Sequence, residues 1–535
     1  MDKSVFEEFT GQVVNSVEPK DDDVPKIYIN GIIPTDKTEV DAEMIYKSKT
    51  ETFHAYIKIK CQGNSSMSYP KKNFTIKLFE DEERTIKLKK NMKGWGKTNK
   101  FVLKANWIDY SHARNIVSAR IWSKMVKARE DYDSLPEELR TSPNNGAVDG
   151  FPIIVYCNNL YYGRYTWNIP KDKFLTNMDD DLETHCILAS ENYVSGCFRA
   201  LAAVDETDWT DEIHDNPPQS IITSINNAIS FVMNSSDEDF VNNIENYFDL
   251  NSLIDYYLLA YVICHLDGLG KNQLLLTYDG IHWIASAYDM DSTFGLYWDG
   301  ASFVSHKYRM QSDYEPSVAH NTTNLLYERL EQLFQEQIKE RYSFLRTGVL
   351  NELNLIQMFE EFTDLIPPYK CEEDYRSTTA NGLFKGIPST ASNHIGQIRD
   401  YIAKRLEYVD SVLISNTSSG FTFLRENYTP MGGTWMDTAD LDLNNGDYIE
   451  ISVNLSGCYG TNENIISIGD NIAGWEQNVA GYHLYFTKGT GNSGTMEIWS
   501  FIGSNSNRKT ITVSTSTATI IKLDSNGVSI NGSIQ

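Results

Sequence analysis

The stretch DLNSLIDYYLLAYVICHLDGLGKNQLLLTYDGIHWIASAYDMDSTFG, Asp249–Gly295, sets the fold of this chain. Its first part places Leu253, Tyr256, Tyr257, Ala260, Tyr261 and Cys264 at helical spacing behind a capping Asp249 or Asn251. The pattern then changes to two apolar, strand-like runs, Gln273–Tyr278 and Ile281–Tyr288. Only Asp279-Gly280 separates them, which is the residue chemistry of a type I′ hairpin. A short loop, HLDGLGKN, therefore joins a buried helix to a hairpin, and a second acidic loop, Asp289-Met290-Asp291, follows.

Carboxylates at the two ends of a hairpin can converge on one site. The first loop reads His265-x-Asp267-x-x-x-x-Asn272, which resembles the catalytic loop of protein kinases, where the Asp accepts the substrate hydroxyl proton and the Asn holds magnesium. Asp289 stands where those enzymes place a second metal-binding Asp. Acidic turns are common, so it is the ordered set of helix, loop, hairpin and acidic loop that carries the signal.

A chain of 535 residues, 41% hydrophobic, is long enough for two to four domains with sizeable cores. Its formal net charge of -26 argues against a general binder of nucleic acid or anionic membranes. The segment Lys58–Lys104 runs against this trend, with thirteen Lys or Arg and four acidic residues. It is either a solvated strand surface or a wall that receives phosphates. The seven cysteines, Cys61, Cys157, Cys186, Cys197, Cys264, Cys371 and Cys458, form no C-x-x-C and lie mostly in apolar runs. They read as reduced core residues, neither a disulfide frame nor a zinc site. The opening MDKSVFEEF has no apolar h-region, and no window is apolar enough to span a bilayer. The expectation is cytoplasmic synthesis without a signal peptide, with release by lysis or in a particle such as a spore coat or virion if the protein leaves the cell.

Residues 1–25 are polar and read as an exposed arm. From residue 26 to about 170 strands dominate: HAYIKIKC alternates Ala55, Ile57, Ile59 and Cys61 with polar partners, FTIKLF and FVLKANW follow, and FPIIVYC–Asn158-Asn159–LYYGRYTW reads as a hairpin. Asp109 or Ser111 caps a helix in SHARNIVSARIWSKMV. Helices dominate residues 171–415, around the hairpin 273–288. Composition shifts at Ile414–Gly420, and residues 416–535 carry short alternating runs between Gly, Asn, Ser and Thr, which argues for a β-sandwich module. The fold class is α+β, followed by an all-β domain.

The ordered segments QGNSSMSYPKKNFTIKL (Gln62–Leu78), FVLKANWIDYSHARN (Phe101–Asn115), YYGRYTW (Tyr161–Trp167), HLDGLGKNQLLLTYDG (His265–Gly280) and YDMDSTFG (Tyr288–Gly295) resemble the spore coat protein H (CotH) kinase family. They cover about 60–415. The resemblance implies an atypical protein-kinase-like body, with an N-terminal antiparallel sheet and a helical C-terminal part. It also implies transfer of the ATP γ-phosphoryl group to Ser or Thr hydroxyls of a protein substrate, with Mg2+ or Mn2+.

Phosphoryl transfer is mostly positioning and charge neutralisation, so a site needs metal-binding oxygens, cations on the phosphates and a base near the acceptor. By the resemblance Asp267 is the base, worth roughly a hundred- to ten-thousand-fold in rate. Asn272 and Asp289 offer hard oxygens to Mg2+, and Asp291 either binds a second ion or stabilises the turn. One of Lys71 and Lys72, beside the Gln62–Ser66 loop, meets the nucleotide, with Lys77 and Lys104 as second choices. Arg114, with Asn115, either holds an anion at a helix start or caps a surface. Trp283 matches a family position suited to purine stacking, the alternative being a core tryptophan.

Gln62 stands where the family usually has Arg, which removes one cation. Compared with ordinary protein kinases there is no G-x-G-x-x-G loop, Leu266 replaces the Arg of H-R-D, and Met290-Asp291 replaces Phe-Gly. These departures leave the acid, amide and lysine set in place but argue against the usual activation-loop regulation. A rival reading is a structural or adhesive virion or particle-surface protein on a kinase-like scaffold, its C-terminal domain binding glycan or a protein subunit. A phosphate-directed hydrolase or nucleotidyl transferase would use the same metal logic.

Overall fold

The computed structural model describes residues 24–310 apart from 192 and 206, residues 323–379 and 395–414, and, further on, the strands between residues 449 and 534. The expected N-terminal arm lies outside the described residues except for its last two.

The N-terminal part closes into a seven-stranded barrel, where the sequence suggested an antiparallel sheet. Lys26–Gly31, Val40–Lys47, Thr52–Gln62, Asn73–Phe79, Lys100–Lys104, Leu160–Asn168 and Gly150–Cys157 follow one another around it. Closure comes from one parallel pair, Lys26–Gly31 with Gly150–Cys157, in which Lys26 faces Ile154 and Ile29 faces Cys157. Alternation fills the interior: Ala55, Ile57, Ile59 and Cys61 point inward from one strand, and Ile76, Leu78, Phe101, Leu103, Ile153 and Trp167 meet them from others. Asn158 and Asn159 both take positive φ, 51° and 63°, as a type I′ turn requires.

The Leu250–Ile263 helix is the axis of the second part, with every residue from Ser252 to Ile263 buried. Asp249 caps it by accepting from Ser252 N at 2.6 Å. The Arg114–Lys127 helix packs on it and belongs to the same continuous core as the barrel. The expected hairpin is half of a four-stranded antiparallel sheet ordered Trp209–Asp211, Cys186–Ser190, Gln273–Thr277, Ile284–Ala287. Its turn is longer than two residues: Asp279 Oδ1 accepts from Ile281 N and His282 N, both at 2.8 Å, and pairing resumes with Leu276 opposite Ile284. Among the described residues no helix is long and apolar enough to cross a membrane.

Residues 416–535 form a second compact unit. Its described strands make two four-stranded antiparallel sheets, one of Ile449–Val453, Thr519–Asp524, Gly527–Ile530 and Ser533–Ile534, the other running Glu463–Gly469, Gly481–Lys488, Ser493–Ile502 and Asn505–Ser514.

Candidate active site

The buried helix ends at Cys264, in the left-handed conformation (φ 55°), which turns the chain sharply into the loop 265–272. Side chains from elsewhere hold three successive carbonyls of that loop. Tyr256 Oη donates to Gly268 O at 2.6 Å, Asn324 Nδ2 to Leu269 O at 2.6 Å, and Ser190 Oγ to Gly270 O at 2.9 Å. The His265 ring lies under Gly268, where a Cβ would stand 2.2 Å from Cδ2. Its Nε2 is 3.3 Å from Tyr288 O, joining the two acidic loops. Lys271 N closes the turn on Asp267 O at 2.7 Å. With the backbone fixed by other groups, the Asp267 and Asn272 side chains stay partly exposed on a rigid loop.

The second loop is anchored as firmly. Asp289 takes φ 53°, Met290 N donates to Asn115 Oδ1 at 3.1 Å, and Thr293 Oγ1 donates to Met290 O at 2.9 Å. Arg114 Nε donates to Thr293 O at 2.9 Å, and Phe294 N to Ile263 O at 2.7 Å. The start of the Arg114–Lys127 helix and the end of the buried helix thus grip the acidic turn from both sides.

Lys104, the last residue of its barrel strand, stands 3.6 Å from Asp289 Oδ1. Lys171 lies 4.4 Å over the Tyr288 ring and 2.7 Å from Glu212. Burial would raise the Asp289 carboxyl, but Lys104 and Lys171 outweigh it and hold the group below the usual carboxylate range. Asp291 is pushed up to about 8, first by burial and then by Asp289, with Asp109 and Asp267 adding to the repulsion. Burial also pushes Tyr69 up to about 12, and the charges that reinforce this are Asp291, Asp289, Asp299 and Asp267. One tyrosine of the Gln62–Lys72 segment thus lies within the field of both acidic loops, its Oη donating to Trp298 O at 3.3 Å.

Crowded carboxylates that cannot all ionise without a cation, set among oxygen donors, fit a hard divalent ion. Asp267, Asp289 and Asp291 do not bring one oxygen each to within 4.8 Å of the others.

The other residues singled out in the sequence are engaged elsewhere. Lys71 is buried, donating to Arg164 O at 2.5 Å with Asp374 at 3.8 Å. Lys72 donates to Met67 O and Tyr69 O at 2.6 and 2.5 Å, which ties its own loop together. Lys77 pairs with Glu39 at 2.9 Å on the barrel surface. Arg114 is fully buried between Asp109, Thr293 O and Gln397, so it supports the acidic turn from behind and is no surface cap. Trp283 is fully buried with Nε1 donating to Ser224 Oγ at 3.2 Å, and a ring so enclosed offers no face to a purine. Lys171 and Tyr69 escaped the sequence reading. The one local signal for Lys171 is its place after Pro170, where the last barrel strand ends.

The CotH kinase protein family matches residues 59–409, more than half of the chain. The chain belongs to the CotH kinase family. No curated protein matches it significantly. As a CotH family member it is kinase-like, and both acidic loops, Lys104, Lys171 and Tyr69 fall within the matched span. The first two barrel strands and the C-terminal unit fall outside it.

Proposed function

We propose that this CotH family protein is an atypical protein kinase that transfers the γ-phosphoryl group of ATP to Ser or Thr hydroxyls, with Mg2+ as the metal. The observation that carries this is the meeting of Asp289 and Asp291 with Lys104, a cation delivered by the barrel, beside the rigid loop that bears Asp267.

Asn272, Asp289 and Asp291 would hold the metal. Bound there, Mg2+ would supply neutralising charge to the phosphate oxygens during in-line displacement. Lys104 and Lys171 orient and draw off phosphate charge from the barrel side. Asp267 accepts the proton of the attacking hydroxyl as the oxygen–phosphorus bond forms and the bond to the leaving ADP oxygen breaks. Hydrogen bonds to three carbonyls of its loop hold the backbone that carries this carboxylate, which favours a constant position toward an acceptor. In the C-terminal unit we place a β-sandwich that binds a partner.

The test is phospho-amino-acid analysis after incubation of the full chain with γ-labelled ATP and a protein acceptor mixture, in Mg2+, in Mn2+ and in chelator. Phosphoserine or phosphothreonine in the metal samples alone is the expected result. Labelled free phosphate with no labelled protein would replace the kinase reading by hydrolysis.

A further inference from the structure

Away from the acidic site, the sheet edge assembles donors of another kind. Cys186–Ser190 pairs antiparallel with Trp209–Asp211, Leu188 opposite Asp211, and Glu212 N extends the pairing to Ile187 O at 2.9 Å. The chain then turns, because Asp211 Oδ1 accepts from Ile213 N and His214 N at 3.0 and 3.1 Å. The turn brings the His214 ring back until Nδ1 is 2.8 Å from Asp211 Oδ2. One donor atom from each of Cys186, Asp211 and His214 lies within 4.8 Å of the other two.

The cluster is enclosed: Cys186 is fully buried, and the Asp211 and His214 side chains are 1% and 10% exposed. His214 Nε2 is buried with no hydrogen-bond partner. Buried polar nitrogens are nearly always satisfied, so an imidazole half committed in this way points to a missing ligand.

We propose that Cys186, Asp211 and His214 form a site for a borderline divalent transition ion, Zn2+ first among them. Thiolate, imidazole nitrogen and carboxylate are the donor types zinc takes, whereas Mg2+ and Ca2+ take oxygen. The charges also close: one thiolate, one carboxylate and Zn2+ sum to zero, which suits an enclosed place. On binding, the Cys186 S–H bond breaks, its proton leaves to solvent and the sulfur lone pair forms the S–Zn bond, with no change of oxidation state. His214 Nε2, the unpartnered nitrogen, donates its lone pair, and Nδ1 keeps its hydrogen toward Asp211 Oδ2. Three ligands from the chain leave the fourth position to water.

This site is chemically separate from the proposed Mg2+ site and does not depend on it. The two are physically connected, because Glu212, next to Asp211, holds Lys171 at 2.7 Å, and Lys171 lies over Tyr288. A filled site pins the strand end that positions Lys171.

The experiment strips the full-length protein with a chelator, titrates it with Zn2+ alone and measures retained metal by mass spectrometry after gel filtration. Co2+ replaces Zn2+ in a parallel sample to read the thiolate-to-metal absorption. About one Zn2+ per chain is expected, with a Co2+–thiolate band, both surviving excess Mg2+. Cys186→Ser should abolish the band, and His214→Gln should weaken binding roughly tenfold or more. Because Cys186 lies in the core, His214→Gln, just past the edge strand, is the deciding variant, its fold checked by circular dichroism. No stoichiometric Zn2+ in the wild type would overturn the proposal, as would an affinity and Co2+ spectrum that His214→Gln leaves unchanged.

Discussion

The Lys104 ammonium lies 3.6 Å from the Asp289 carboxylate, joining the last residue of a barrel strand to the acidic turn that follows the central hairpin. Burial works against the charge on both groups, and each offsets it for the other: Tyr288, Asp289 and Asp291 keep Lys104 protonated, while Lys104 and Lys171 keep Asp289 ionised. A cation on one wall facing acids on the other is the arrangement that a metal-bound polyphosphate requires.

Lys104→Met should therefore lower kcat/KM for ATP by roughly a hundred- to a thousandfold. Lys104→Arg keeps the charge but loses the ammonium geometry, so it should recover part of the loss. Steady-state kinetics at saturating acceptor protein check this. Equal activity in wild type and Lys104→Met would remove Lys104 from the phosphate side of the site.

Gly268 is close-packed on His265, with no room for a methyl group. Gly268→Ala should push the 265–272 loop off its three side-chain anchors and misplace Asp267, with a rate loss of about a hundredfold or more. Single-turnover rates separate this from weakened nucleotide binding, because the expected defect lies in the transfer step. A variant with full transfer rate would show that the loop tolerates displacement.

Trp283 is a core residue, and its substitution should act on stability. Trp283→Ala is expected to cost about 3–5 kcal/mol in urea unfolding. The milder Trp283→Phe should leave KM for ATP unchanged. A selective rise in that KM, with stability intact, would return the ring to a role at the nucleotide.

Lys71 gives a pH signature of its own. Burial pushes its ammonium down to about 8 despite the attraction of Asp374, against an ordinary value of 10.5. Between those values the unfolded chain binds more protons than the folded one, so this group makes stability rise with pH across the window and fall again as pH drops toward 8. The swing is at most about 3 kcal/mol. Urea unfolding of wild type and Lys71→Met at about pH 7 and about pH 10 should show the rise in the wild type alone. Parallel behaviour would mean that Lys71 keeps its ordinary protonation in the fold.

Local patterns carried much of this architecture. The helix ending at Ile263, its Asp249 cap, the paired Asn158-Asn159 turn and the inward alternation of Ala55 to Cys61 follow from spacing that neighbouring residues impose on each other. The two acidic loops were legible for the same reason. Barrel closure was not, because Lys26 meets Ile154 through a pairing that no local pattern encodes. The strands Cys186–Ser190 and Trp209–Asp211 were missed since a five-residue, fully buried run and a three-residue run lack a distinguishing period. The lysines show the limit most plainly. Lys71 and Lys72 sit in the most suggestive motif, yet Arg164 O, Asp374 and the loop's own carbonyls take their ammonium groups; Lys104, a second choice in the sequence, and Lys171, unmarked there, face the acids instead.

The most direct measurement of the central claim is transfer of γ-label to protein in Mg2+ or Mn2+ by the wild type, Asp267→Asn and Asp289→Asn, side by side. Wild-type transfer should fall by roughly a hundred- to ten-thousandfold in Asp267→Asn, and at least as far in Asp289→Asn, which weakens the metal site as well. Label that persists undiminished in both folded variants would contradict the account.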